Sequence, residues 1–188
     1  MENKILFINA CVRNGSRTKE LADHFLEDTE GEITEVNLYK ENIFPLDGIG
    51  LEKRMSGDYS DTEIKWAKQF AEAEVIVIAA PFWDLSFPAV LKIYLENITV
   101  SGITFEYSNE GRPVGKCKAK KLYYITTSGG YIEKNNYGFD YIKALAQNFY
   151  GINDVRFFSA EGLDIFSADV NAIMKKAKTN LKKEGTEL

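Results

Sequence analysis

Glu74 to Ile98 reads EVIVIAAPFWDLSFPAVLKIYLENI, and the order in which residue types change along it decides the fold. Val75 to Ala80 is an unbroken apolar run, the composition of a strand covered on both faces of a parallel sheet. Pro81 stops it. Pro88 suits the first turn of a helix, and Val90, Leu91, Tyr94, Leu95 and Ile98 then recur as an apolar stripe at helical spacing. Between strand and helix lie Phe82, Trp83, Asp84, Leu85 and Phe87. They follow the carboxyl end of a strand, where open α/β sheets bind ligands.

Working outward, the same alternation of strand and helix continues. Lys4 to Ile8 reads as the first strand, followed by a helix from about Thr18 to Asp28 with Leu21, Ala22, Phe25 and Leu26 on one face and Ser16 or Thr18 as its cap. Ile33 to Leu38 reads as the second strand. Tyr39 to Tyr59, with Pro45 and several glycines, reads as a long irregular connection, a length that usually marks a functional or mobile segment. A helix from Ser60 or Asp61 carries Ile64, Ala67, Phe70 and Ala71 at helical spacing, and Trp66 is expected with Phe70 in the core. Thr104 to Val114 reads as a small hairpin around Asn109 to Gly111, outside the main sheet. Leu122 to Thr126, a helix over Phe139 to Tyr150, the strand Val155 to Ser159 and a last helix over Ala168 to Lys183 complete the pattern. Five strands and five helices predict a three-layer α/β/α, flavodoxin-like doubly wound parallel sheet of order 2-1-3-4-5, in one domain spanning residues 1–188.

Composition narrows the function classes. With 188 residues, 45% hydrophobic and 27% charged, the chain has ordinary globular proportions. No apolar run reaches the roughly 20 residues that span a membrane, and MENKILFINA reads as a first strand rather than a cleavable leader, so no membrane insertion and a cytoplasmic location are expected. A net charge of −5 argues against nucleic acid as a partner, and the lysines from Lys175 to Lys183 read as a solvated helix face. Cys11 and Cys117 are too few for a zinc site or a disulfide framework and read as inert thiols, so no metal is expected. His24, the one histidine, falls on a helix with no motif around it. Gly48-Ile49-Gly50 lacks the third glycine of a dinucleotide fingerprint, and GRPVGKC, residues 111–117, is one residue short of a P-loop and carries Cys117 where Ser or Thr is needed.

Three strand ends carry the candidate chemistry. After the first strand, Arg13, Asn14, Gly15, Ser16, Arg17 and Thr18 precede a helix, where free amides and the positive end of the helix dipole favour a dianion. After the third, beyond Pro81, Phe82, Trp83, Leu85 and Phe87 form an apolar wall for a flat ring, with Asp84 and neighbouring amides at the ring's polar edge. After the fourth, Thr127, Ser128, Gly129 and Gly130 offer hydroxyls and approachable backbone amides. A phosphate cradle, an aromatic wall and a polar glycine turn together match flavin mononucleotide. The exposed apolar loop also needs cover, which a ligand and a second subunit would share.

The segments IAAPFWDLSFPAVLKIYLENI, GITFEYSNEGRP, ITTSGGY and GINDVRFFSAEGL, in that order, resemble the flavodoxin-like NAD(P)H dehydrogenase (quinone) and FMN-dependent azoreductase family. With the N-terminal loop, the resemblance covers nearly the whole chain. It implies a homodimer with two FMN sites at the interface, Ser16, Arg17 and Thr18 at the phosphate, Phe82 to Leu85 along the ring, and Thr127 to Gly130 at its pyrimidine side. Ala10, Asp84 and Ser128 depart from the serine, asparagine and arginine common in the family.

The expected activity is two-electron hydride transfer from NADH or NADPH through the flavin to a quinone, an azo compound or a related small-molecule acceptor, by substrate exchange at one site. The flavin carries the chemistry, so no catalytic side chain is needed. The rival expectations are a non-enzymatic flavodoxin-type electron carrier, favoured if NADH or NADPH fails to bleach the bound flavin, and a flavin-binding sensor module, favoured if reduction occurs but no acceptor turns over.

Overall fold

A computed structural model describes residues 3–185. Its main sheet is built from β1 (Lys4–Asn9), β2 (Glu32–Asn37), β3 (Val75–Ala79), β6 (Lys121–Thr127) and β7 (Asp154–Ala160), all parallel, in the order β2-β1-β3-β6-β7. Counting only these five strands, that is the expected 2-1-3-4-5. β3 lies at the centre and every residue in it is buried, which is why its sequence is apolar without alternation. The expected hairpin forms from β4 (Phe105–Tyr107) and β5 (Pro113–Gly115), which pair antiparallel apart from the main sheet.

Successive side chains of each strand point to opposite faces. Ile5, Phe7, Val77, Tyr123 and Ile125 pack beneath α1 (Arg17–Glu27) and α6 (Val170–Gly185). Leu6, Ile8, Ile76, Ile78, Leu122 and Tyr124 pack beneath α3 (Lys65–Glu72), α4 (Ala89–Ile98) and α5 (Tyr137–Leu145). The α4 stripe is buried at Leu91, Tyr94, Leu95 and Ile98, as its spacing requires. The lysines of α6 are solvated but not idle: Lys178 pairs with Glu20 at 2.8 Å and Lys182 with Asp28 at 3.1 Å across to α1.

Several boundaries depart from expectation. The connection after β2 is not wholly irregular: it contains α2 (Gly48–Ser56), capped by Asp47, whose carboxylate accepts from the Gly50 amide at 2.7 Å, and closed by Gly57 in the left-handed region. No residue of α2 is buried, so it has no apolar stripe to betray it. That makes six α-helices among the described residues, not five. The helix expected from Ser60 begins regularly only at Lys65, although Ser60 and Glu63 do form a capping box, with the Ser60 amide donating to Glu63 at 2.7 Å. Trp66 is half-buried rather than central, and Lys65 lies over its ring at 3.9 Å. The helix expected to run to Tyr150 turns π-helical over Ala146–Tyr150 before Gly151 ends it. Among the described residues no helix is long and apolar enough to cross a membrane.

Candidate functional site at the carboxyl edge of the sheet

Because all five strands run the same way, Asn9, Ala79, Thr127 and Ala160 reach one edge, and the loops that follow them meet there. Asn9 is wholly buried. Its Oδ1 accepts from the Cys11 amide at 2.9 Å and its Nδ2 donates to Glu35 at 2.8 Å, which fixes the course of the chain as it leaves β1. Ser16 then caps α1, accepting from the Lys19 amide at 3.4 Å. Among the described residues the amides of Gly15, Ser16, Arg17 and Thr18 donate to no protein group, the last three because the start of a helix leaves its first amides without partners. They present four N–H groups at the positive end of the helix dipole. A cleft of about 610 Å³ opens beside this loop, with Asn9, Arg13, Ser16 and Lys19 in its wall.

Cys11 lies under the loop. Burial pushes its thiol up to about 11, against the opposing pull of a hydrogen bond with Ser16. It is a protonated packing residue, not a nucleophile.

Thr18 is 1% exposed. Thr127 shares the strand face of Tyr123 and Ile125, so its side chain points at α1, and the two threonine hydroxyls meet at 2.6 Å. The turn after β6 is laced to the chain leaving β7: Ser128 donates to the Ala160 carbonyl at 3.0 Å, and the amides of Gly162, Leu163 and Asp164 donate to the carbonyls of Gly130, Ser128 and Gly129 at 3.0, 3.1 and 3.0 Å. The Ser128 hydroxyl closes the turn by donating to the Gly130 carbonyl at 2.6 Å. Among the described residues the amides of Gly129 and Gly130 stay unengaged. The two glycines differ in why they are glycines. A Cβ on Gly130 would meet open space, whereas one on Gly129 would come within 2.4 Å of the Asp164 carboxylate.

The wall after β3 begins at half-buried Pro81 and is tied to the polar turn where the Phe82 amide donates to the Thr127 carbonyl at 3.0 Å. Trp83 and Ser86 exchange backbone hydrogen bonds at 3.0 and 2.8 Å across a two-residue turn. Its central residues, Asp84 at φ 50° and Leu85 at φ 65°, take the left-handed conformation that such a turn needs and that Gly or Asn normally supplies. For a leucine this costs about 1–2 kcal/mol. The Tyr137 amide, at the start of α5, holds the turn by donating to the Leu85 carbonyl at 3.0 Å. Phe87 faces inward against Tyr141, with ring centroids 6.0 Å apart, while Trp83 and Leu85 remain 42% and 48% exposed. Tyr131 and Phe166, on neighbouring loops, and Tyr137, the first residue of α5, are also exposed.

Residues 3–184 match the family described as having a flavodoxin-like fold. An FMN-dependent NADH:quinone oxidoreductase of Lachnoclostridium phytofermentans is 40% identical over 191 residues, covering 94% of each chain. A second protein of that name, from Clostridium acetobutylicum, is 38% identical and covers 98% of this chain and 99% of its own. This chain belongs to the flavodoxin-like quinone reductase and azoreductase family. Within that family, the crystal structure of an FMN-dependent NADH-azoreductase from Bacillus anthracis in complex with FMN has a TM-score of 0.84 at 26% identity over 98% of both chains.

The twelve residues assigned to the cofactor from sequence, Ser16 to Thr18, Pro81 to Leu85 and Thr127 to Gly130, lie in or next to the three loops at this edge, and two direct bonds join these segments, Thr18 to Thr127 and Phe82 to Thr127. Sequence reasoning passed over Asn9, Glu161 and Asp164. Glu161 accepts from the Ile132 amide at 2.8 Å and the Ser159 hydroxyl at 2.6 Å, and so fixes the chain beyond the glycine turn. Asn9 could have been found as an asparagine ending an apolar strand. Nothing in the sequence marks Asp164.

Proposed function

We propose that this chain is an FMN-dependent NADH:quinone oxidoreductase, carrying two electrons as a hydride from NADH or NADPH to quinones, azo compounds or related acceptors that exchange at one site. The observation that carries this reading is the cradle at the mouth of α1, four unengaged amides and two buried hydroxyls, set beside an equally unengaged pair of glycine amides in a family whose curated relatives are named for FMN.

The residues fit flavin mononucleotide. Ser16, Arg17 and Thr18 would hold its phosphate, Pro81, Phe82, Trp83, Asp84 and Leu85 would flank its ring, and Thr127, Ser128, Gly129 and Gly130 would meet its polar edge. Bound FMN supplies the hydride exchange that no side chain here can perform. The helix dipole and the Gly15 to Thr18 amides would offset the charge of a phosphate dianion without reorganising. Trp83 and Leu85 would shield an apolar ring from water. The Gly129 and Gly130 amides would offer fixed donors to a negatively charged polar edge.

We further propose a homodimer acting as one domain per chain, residues 1–188. Trp83, Leu85, Tyr131, Tyr137 and Phe166, on segments that follow the carboxyl ends of the strands, are each exposed, and the cover that a second copy would give them supports this reading. A cytoplasmic location is supported by the two free thiols and by the NADH for which the relatives are named.

Purified protein loaded with FMN should show the two-banded flavin absorption and lose it within seconds on anaerobic mixing with NADH or NADPH. A colourless protein after reconstitution would refute the cofactor assignment. Retained colour after mixing would favour the electron-carrier reading. Parallel lines in double-reciprocal plots are expected, and intersecting lines would refute exchange at a single site.

A further inference from the structure

The loop after β7 holds a carboxylate that touches two of the three site loops. Asp164 Oδ1 lies 3.2 Å from the Arg17 guanidinium, at the mouth of α1. Its backbone amide donates to the Gly129 carbonyl at 3.0 Å, and its side chain lies across the Gly129 Cα so closely that any Cβ there would come within 2.4 Å of Oδ2. No other side chain among the described residues both bonds to the 16–18 cradle and packs on the 127–130 turn from the β7 side.

We propose that Asp164 is a positioning residue of the cofactor site, holding the Arg17 guanidinium in place for a phosphate dianion and fixing its location relative to Gly129. The inference rests on the flavin reading above and extends it to a residue outside the binding loops. Arginine carries large rotamer entropy, and pairing it before the ligand arrives removes part of the ordering that binding would otherwise require. The same carboxylate repels a phosphate. That opposing effect is screened, because the Asp164 side chain is 75% exposed while Arg17 is half as exposed at 37%. The ordering of Arg17 therefore prevails, and Asp164 strengthens phosphate binding on balance. A single exposed ion pair contributes little to folding, so replacing Asp164 leaves the fold intact.

Riboflavin has the ring of FMN without its phosphate, and the ratio of the two affinities isolates the phosphate end from general damage to the crevice. Dissociation constants would be measured by quenching of flavin fluorescence for the wild type, Asp164→Ala, Asp164→Asn, Arg17→Ala and the Arg17→Ala/Asp164→Ala double variant. Asp164→Ala is expected to weaken FMN about fivefold to tenfold while riboflavin is unchanged. Arg17→Ala should do the same or more, and the double variant should be no weaker than Arg17→Ala alone, because the carboxylate acts through the guanidinium. Asp164→Asn, which still offers an oxygen to Arg17, should recover most of the loss.

Equal losses for FMN and riboflavin would overturn the proposal in favour of a purely structural contact. Tighter FMN binding by Asp164→Ala would overturn it in favour of simple repulsion. Additive losses in the double variant would remove Arg17 from the path. If the wild-type protein binds neither flavin, the cofactor reading itself fails, an outcome distinct from all of these.

Discussion

The loops at the carboxyl edge of the sheet and the connection between β2 and α3 are both long non-strand segments, yet they are held by opposite means. At the edge, main-chain bonds knit the chain after β6 to the chain after β7, and Thr18 and Thr127 meet in the interior. The other connection rests on few points. α2 buries no residue, Phe44, Ile49 and Met55 are 71%, 67% and 82% exposed, and the helix is fastened by Arg54, which donates to the Glu96 and Asn97 carbonyls at 2.7 and 2.9 Å. The contrast teaches that irregular backbone here is knitted by main-chain bonds where it must present amides, and pinned mainly by side chains elsewhere. Pre-positioned donors are what an anion site needs.

The contrast breaks most visibly if the edge is not where the anion binds. Replacing Ser16 and Thr18 together by alanine removes two hydroxyls that would bond a charged phosphate, each worth about 1.5–3 kcal/mol, so FMN affinity should fall by about 100-fold or more in a fluorescence titration. Ile49→Ala and Met55→Ala should leave it unchanged.

Stability separates the regions next. Leu91 on α4 is fully buried, and Leu91→Ala should cost about 2–5 kcal/mol in urea unfolding. Met55→Ala on exposed α2 should fall within about 0.5 kcal/mol of the parent. Arg54→Ala should cost about 1–2 kcal/mol by freeing two helix-end carbonyls, and limited proteolysis should then cut faster between Gly57 and Thr62.

A smaller change of the opposite sign is expected at the strained turn. Leu85→Gly relieves the left-handed leucine and should stabilise by about 1 kcal/mol, or raise the melting temperature by about 2–4 °C, while exposing the apolar wall and weakening riboflavin as well as FMN.

The narrowest effect is confined to alkaline solution. The folded state raises the Cys11 thiol from 9.0 to about 11 by burial, so it holds the proton more tightly than the unfolded chain does. Stability from this group is complete below pH 9 and is lost as pH climbs towards 11. Cys11→Ser should flatten that part of the pH profile, and at pH 8 iodoacetamide should modify Cys11 only after denaturation.

How much of this was legible in the sequence follows from what each segment packs against. β3 and α4 announce themselves because burial on two faces or on one stripe writes a pattern. α2 has a readable cap in Asp47 and a readable stop in Gly57, but Gly48 and Gly50 weaken its first turn, and without a buried face there is no period to detect. The π-helical turn at Ala146–Tyr150 was hidden because its composition is that of an ordinary helix. The site loops could be found since each follows a strand of the same direction. What could not be found were side chains whose partners lie far along the chain: Asn9 with Glu35, and Asp164 with Arg17.

The pairing of Thr18 with Thr127 spans 109 positions, and that of Arg17 with Asp164 spans 147. Contacts so distant close only after most of the polypeptide has been synthesised. During translation the emerging N-terminal βα unit has the loose amides but neither the opposing threonine nor the bracing carboxylate, so pigment capture belongs to the finished chain.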